Sequence, residues 1–184
     1  MENNGKLYVL SDQTEVESIP LGYTALPFTF WLEHLLQKEN IPFLSISPHV
    51  PKSDSLSELF TLSGTIAREW YRLPEAEALV YEQIRIGEVL EPMFDFYLGR
   101  LLYYIHTFES LLAVHNEITE MRIPDSTVSA SSTSSAFAPF EVRVMNDALV
   151  SVGKKYGITV SVGKVPTIPL DHVFPKISKN IMLS

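Results

Sequence analysis

The chain has 184 residues, no cysteine and a formal net charge of −8. A chain of this length suits one domain, or one with a small subdomain, and buries roughly 70% of its extended surface without needing a disulfide or metal. The missing cysteines exclude disulfides, thiolate metal sites and cysteine nucleophiles. The acidic balance disfavours nucleic acid and anionic membrane as partners, because both require lysine and arginine to neutralise phosphates.

The opening MENNGKLYVL lacks the basic and apolar regions of a signal peptide. The longest apolar stretch, Leu98 to Val114, is interrupted by Arg100, His106 and Glu109, so no segment reaches the roughly 18–20 residues that span a bilayer. With no cysteine, these features point to a cytoplasmic protein with no membrane partner.

Lys6 to Ser11 (KLYVLS) reads as a strand, and residues 12–27 as irregular, punctuated by Pro20, Gly22 and Pro27. From Phe28 the pattern turns helical: Phe28, Trp31, Leu32, Leu35 and Leu36 share one face, and Asn40 closes the helix. PFLSIS follows as a second strand, so the opening reads as a β-α-β unit.

Pro48 to Asp54 is a proline-punctuated link, and Ser55-Leu56-Ser57-Glu58 has the form of a capping box. The run from Ser55 to Met121 keeps helical spacing. Leu56, Leu59, Phe60, Ser63, Ile66, Ala67 and Trp70 form one stripe, and Pro74 opens a further helix that runs to Pro92. Pro92 is expected to kink or break the helix. Beyond it Phe94, Tyr97, Leu98, Leu101, Leu102, Ile105, Phe108 and Leu112 recur at threes and fours up to Pro124. Residues 126–135 are serine and threonine throughout, apart from Val128 and Ala130, and read as a mobile loop. Pro139 starts another helix with Val142, Met145, Leu149, Val152 and Tyr156 buried and Gly157 as its cap; ITVSV is an edge strand and an extended tail completes the chain.

Chemistry-bearing residues are scattered. His106 with Glu109, and His115 with Glu117 and Glu120, lack both the Glu-x-x-His spacing of carboxylate-bridged metal pairs and the His spacing of a zinc helix. Glu82, Glu88, Glu91 and Asp95 gather near Pro92, where paired carboxylates would suit acid–base work and solvated helix faces are the plainer explanation. Tyr103, Tyr104 and Trp70 either line a pocket or pack in the core. No nucleophile elbow, phosphate loop or dinucleotide turn is spelled out.

Against these residues a family resemblance can be set. LSGTIAREW (Leu62–Trp70), EALVYEQIRIGEVLEPM and LLYYI resemble the glutathione S-transferase-like superfamily, including the transferase-like modules of aminoacyl-tRNA synthetase complexes. The resemblance implies a thioredoxin-like opening followed by helices, with Ser63 holding glutathione and Ser11 supplying the activating hydroxyl. The dozen residues between IPFLSIS and LFTLSG are too few for that family's third strand, cis-proline turn and fourth strand. A second echo, Glu141–Ile158 with Glu141 and Asn146 five apart, resembles the last helix of ketopantoate reductases, but the glycine-rich turn of that family is missing.

The expected fold is α+β and predominantly helical: a small N-terminal β-α-β region over 1–54, then a helical bundle over 55–184, together one compact unit. The expected function is a non-catalytic protein–protein interaction module on a transferase-like scaffold, with no cofactor and with another protein or a second copy as partner. The alternatives are a glutathione-transferase-type enzyme acting on a small electrophile, with glutathione as its cofactor, and an unrelated helical adaptor.

Overall fold

A computed structural model of the chain describes residues 5–11, 13–74, 80, 81, 83–123 and 138–162. Its centre is β1 (Lys6–Leu10), whose Leu7, Tyr8, Val9 and Leu10 are all buried. A strand buried on both faces must be covered on both sides, which is the condition that parallel sheets meet with helices. β1 pairs in parallel with β2 (Thr24–Pro27) on one side and β5 (Glu120–Ile123) on the other; β6 (Thr159–Val162) pairs in parallel with β5. The order is β2-β1-β5-β6, and a parallel bridge from Ala25 to Phe43 adds one more rung beyond β2. Read in chain order this is 3-2-1-4-5, the sequence of strands in a doubly wound α/β sheet.

The helices sort by the alternation of β1. Leu7 and Val9 face α3 (Ile86–Val114) and α4 (Ala138–Tyr156), meeting Phe108, Leu111, Met145 and Leu149 in the larger core. Tyr8 and Leu10 face α1 (Phe30–Lys38), whose Leu32 and Leu36 form the smaller core with Ala25. Thr29 caps α1 by accepting from the Leu32 amide, and Asn40 takes the left-handed conformation (φ 54°) just after it.

The chain is mixed α/β with a small parallel sheet; α1, α3 and α4 lie on the faces of that sheet, and the other helix of the 55–184 region, α2 (Ser53–Glu69), packs on α3. Residues 12–27, expected to be irregular, contain β2. The short 310 turn at Gln13–Ser18 helps make the parallel return from β1, and PFLSIS contributes one bridge residue in place of a strand. The sheet takes two strands from residues 1–54 and two from 55–184, so the two expected regions share one core.

α2 starts two residues before the expected capping box. Lys52 is its N-cap without a side-chain bond, and its carbonyl accepts from the Leu56 amide. Residues 80, 81, 84 and 85, expected to be helical, form a two-stranded ribbon, β3 (Val80–Tyr81) with β4 (Ile84–Arg85). Pro92 does not break α3, which runs for 29 residues. The carbonyl it orphans belongs to Glu88; both residues are solvent-exposed, so water replaces the lost bond. The start of the expected Pro74 helix (75–79), Glu82, the serine-rich loop at 126–135 and the tail beyond 162 lie outside the described residues.

α3 returns to β5 through five residues, so it lies antiparallel to the strands, with its C-terminus at their amino ends. Tyr104 and Phe108 meet Phe28, which follows β2, at the carboxyl edge of the sheet. Everything N-terminal to about Leu101 therefore overhangs that edge, by roughly 20 Å at 1.5 Å per residue. α2 packs antiparallel on this overhang, with Phe60 against Gly99 and Tyr71 against Gly87. A methyl group at Gly87 would lie 2.1 Å from the Tyr71 Cβ, and one at Gly99 2.9 Å from the Phe60 ring, so close approach fixes both glycines.

Phe108, completely buried between sheet and α4, is the keystone of the larger core. Phe108→Ala is expected to cost about 3–5 kcal/mol in urea unfolding; a loss below about 1 kcal/mol would contradict this packing.

Candidate functional site

In a doubly wound sheet, ligands gather outside the carboxyl ends of the strands where the strand order reverses. Here that point lies between β1 and β5. Ser11 stands at the end of β1, and its amide and hydroxyl both donate to the buried Glu15 carboxylate, at 2.6 Å from N and 3.1 and 3.2 Å from Oγ. Burial, and secondly the Glu15 charge, push the Tyr8 phenol above its ordinary value, while Arg122 opposes them. Ser11 and Glu15 thus form a hydrogen-bonded pair at the strand crest, within electrostatic reach of Tyr8. The Ser11 hydroxyl is committed to Glu15, which fixes the turn out of β1. Sequence reading missed Glu15, since an acidic residue in DQTEVES carries no sign of burial.

Ser63 is placed elsewhere. It lies inside α2, fully buried, its Oγ 2.7 Å from Asp95 Oδ1 and 3.0 Å from the Phe60 carbonyl. It ties α2 to α3, and the structure does not bring it together with Ser11 in a shared hydrogen-bonded group. Of the carboxylates near Pro92, Glu91 and Asp95 are internal to the overhang, Tyr71 donating to Glu91 at 2.9 Å and Ser63 to Asp95, while Glu88 is exposed beside Arg85. Trp70 packs on Phe94 and Tyr71.

The transferase resemblance requires a pair of strands joined by a cis-proline turn ahead of Ser63. Residues 47–69 instead form a 310 turn (Ser47–His49) and the single helix α2, and no peptide bond among the described residues is cis. No protein-family model, curated protein or solved structure matches the chain.

The scattered histidines and acids form separate structural contacts. Glu109 pairs with Lys155 at 2.6 Å, and Glu120 accepts from the Tyr23 hydroxyl and, secondly, from Lys6, which hold its carboxyl below the usual range. No group of three metal-ligating side chains converges among the described residues.

Two features stand out on the face of the molecule nearest the overhang. Tyr97 donates to Asp147 at 2.8 Å, joining α3 to α4, and burial together with this bond pushes its phenol up to about 12. Asn146, 5% exposed on α4, has neither amide atom bonded. It shares a helix side with Gly153, which abuts Val160 of β6, and lies two turns nearer the carboxyl edge, about 10 Å away.

The inner surface of the overhang is apolar. Tyr97, Leu101, Tyr104 and Phe108 form the stripe by which α3 meets α4 and the sheet, and Ile86, Leu90 and Met93 continue it at the same spacing. Past the carboxyl edge no described residue covers it: Met93 is 70% exposed, and Leu62, Ile66 and Leu73 are exposed on the adjoining flank of α2. No helix among the described residues is long and apolar enough to cross a membrane.

At the opposite edge, His49 is buried beside His115, ring centroids 5.6 Å apart, and bonds to the Ser110 carbonyl; His115 in turn lies 3.3 Å from Glu117. Burial first, then the neighbouring His115, lower the His49 imidazole below its ordinary value. The unfolded chain therefore takes up this proton at a higher pH than the folded one, and the stability of neutral His49 is complete above about pH 6.5 and lost as pH falls toward the folded value. The urea midpoint is expected to drop between pH 7.5 and 5.5, with a smaller drop in His49→Leu; an identical drop in both proteins would remove His49 as its source.

Proposed function

We propose that the chain is a non-catalytic protein-docking module whose docking face is the inner surface of the α2–α3 overhang. One observation carries this: a stripe on one helix is buried where it crosses the sheet and bare where it passes beyond. A soluble chain gains nothing from leaving large side chains such as Leu90 and Met93 in water unless another surface covers them. The geometry ahead of Ser63 gives the reading no support from a transferase-like scaffold, and the overhang alone supports docking. An enzyme using glutathione would need Ser11 and Ser63 to face one ligand, whereas each hydroxyl is taken up by a carboxylate of its own neighbourhood.

The test is a photo-crosslinking residue at position 93, compared with one on the exposed outer side of α2 at Thr65. Protein adducts are expected at 93, absent at 65, and lost on Leu90→Glu, which as a surface change shifts stability by about 0.5 kcal/mol at most. Equal labelling at both positions would sink the docking face. Retention on immobilised glutathione, abolished by Ser63→Ala, would move the reading to the enzyme.

A second reading, favoured by Asn146, is a small ligand held at the carboxyl edge by that carboxamide. A buried amide with no partner is a liability that binding sites retain for a ligand's donor and acceptor. Asn146→Leu is expected to raise the urea midpoint of the free protein, because it removes two unsatisfied groups. A lowered midpoint would mean that the amide already has its partners.

A further inference from the structure

We infer that the occupant of the overhang is a second copy of this chain, the two α2–α3 pairs packing about a twofold axis as four helices. The inference rests on the docking reading above and specifies its partner.

Area is the first argument. Leu62, Ile66, Leu73, Ile86, Leu90 and Met93, with Ile84 and Val89 beside them, are each exposed by between 38% and 70%. Together they leave on the order of 800 Å² bare, the share that one partner contributes to a standard interface. The largest apolar patch on a typical monomer is about 300–600 Å².

Charge is the second. A chain carrying −8 resists self-association wherever its acids face one another. On the overhang they are matched, since exposed Glu58, Glu69 and Glu88 stand among exposed Arg68, Arg72 and Arg85. Glu91 and Asp95, the acids on this part of α3 other than Glu88, are turned inward onto Tyr71 and Ser63. The exposed pair at the rim, Arg85 and Glu88, lies 4.0 Å apart and offers both signs at once. A twofold contact requires such self-complementarity, since each patch meets its own image.

Shape is the third. α2 and α3 are already an antiparallel pair held close by Gly87 and Gly99, and two such pairs stacked on their apolar flanks give the packing of a four-helix bundle. The bare stripe runs from Ile86 to Met93 on α3 and from Leu62 to Leu73 on α2, so both helices of each copy contribute.

Sedimentation velocity on the full chain, from about 1 to 100 µM, tests this. The wild type is expected to reach twice the chain mass of 20.8 kDa. The double substitution Leu90→Glu with Met93→Glu should weaken association at least 100-fold while leaving the circular dichroism melt unchanged. A wild type that stays monomeric throughout, or a dimer indifferent to the double substitution, overturns the second copy. If the monomeric wild type still gives Leu90-dependent adducts at position 93 with a different protein, the docking face stands and only its occupant changes. If it gives none, both fall together.

Discussion

The fold depends on the burial of β1 on both faces. Five residues, KLYVL, place Leu7 and Val9 in one core and Tyr8 and Leu10 in the other. Parallel neighbours on both sides satisfy the backbone of this strand, and helices must then cover both faces of the sheet. α1 supplies one cover. The other comes from α3 and α4, and α3 must span the sheet and reach β5 through a short turn. Its C-terminal half is thereby committed to the core. Its N-terminal half is left over, and the docking surface is a consequence of that excess length.

The overhang is built to hold its shape without the sheet beneath it. Phe60 on Gly99 and Tyr71 on Gly87 bring two helices to near contact, and the Ser63–Asp95 and Tyr71–Glu91 bonds tie them together. Such a pair can present an apolar flank to water without collapsing onto it. Tyr97, bonded to Asp147 at the point where α3 leaves the sheet, anchors the overhang to α4. The structural role found for Ser63 follows from the same arrangement, since a hydroxyl inside a helix bonds to the preceding turn and to whatever packs against it.

Periodicity made some of this legible and hid the rest. β1, α1, the C-terminal half of α3 and the Val142–Val152 stripe of α4 could be read from spacing, because burial on one face leaves a repeating mark. β2 could not. TALP is four residues long and sits among Pro20, Gly22 and Pro27, which read as turn chemistry, and only pairing with β1 makes it a strand. β5 was read as the end of a helix, although Glu120, Met121, Arg122 and Ile123 alternate polar and apolar at period two. Without β2 and β5 a parallel sheet is invisible, and the helices then look like a bundle. The stripe on α3 was read only beyond Pro92, where a break was expected, and the place where its cover ends was not visible, because that depends on where Phe28 and the strand ends fall in space. Glu15 and Asn146 gave no warning either, as burial of a single polar residue leaves no periodic trace.

Hydrogen exchange along α3, followed over a dilution series, probes the division of this helix most directly. Residues 104–112 should exchange slowly at every concentration, and 86–97 faster in dilute solution, slowing as the bare stripe becomes covered. Uniform slow exchange from 86 to 112 at the lowest concentration would mean that the N-terminal half is already covered within one chain, and the docking surface would be lost with it.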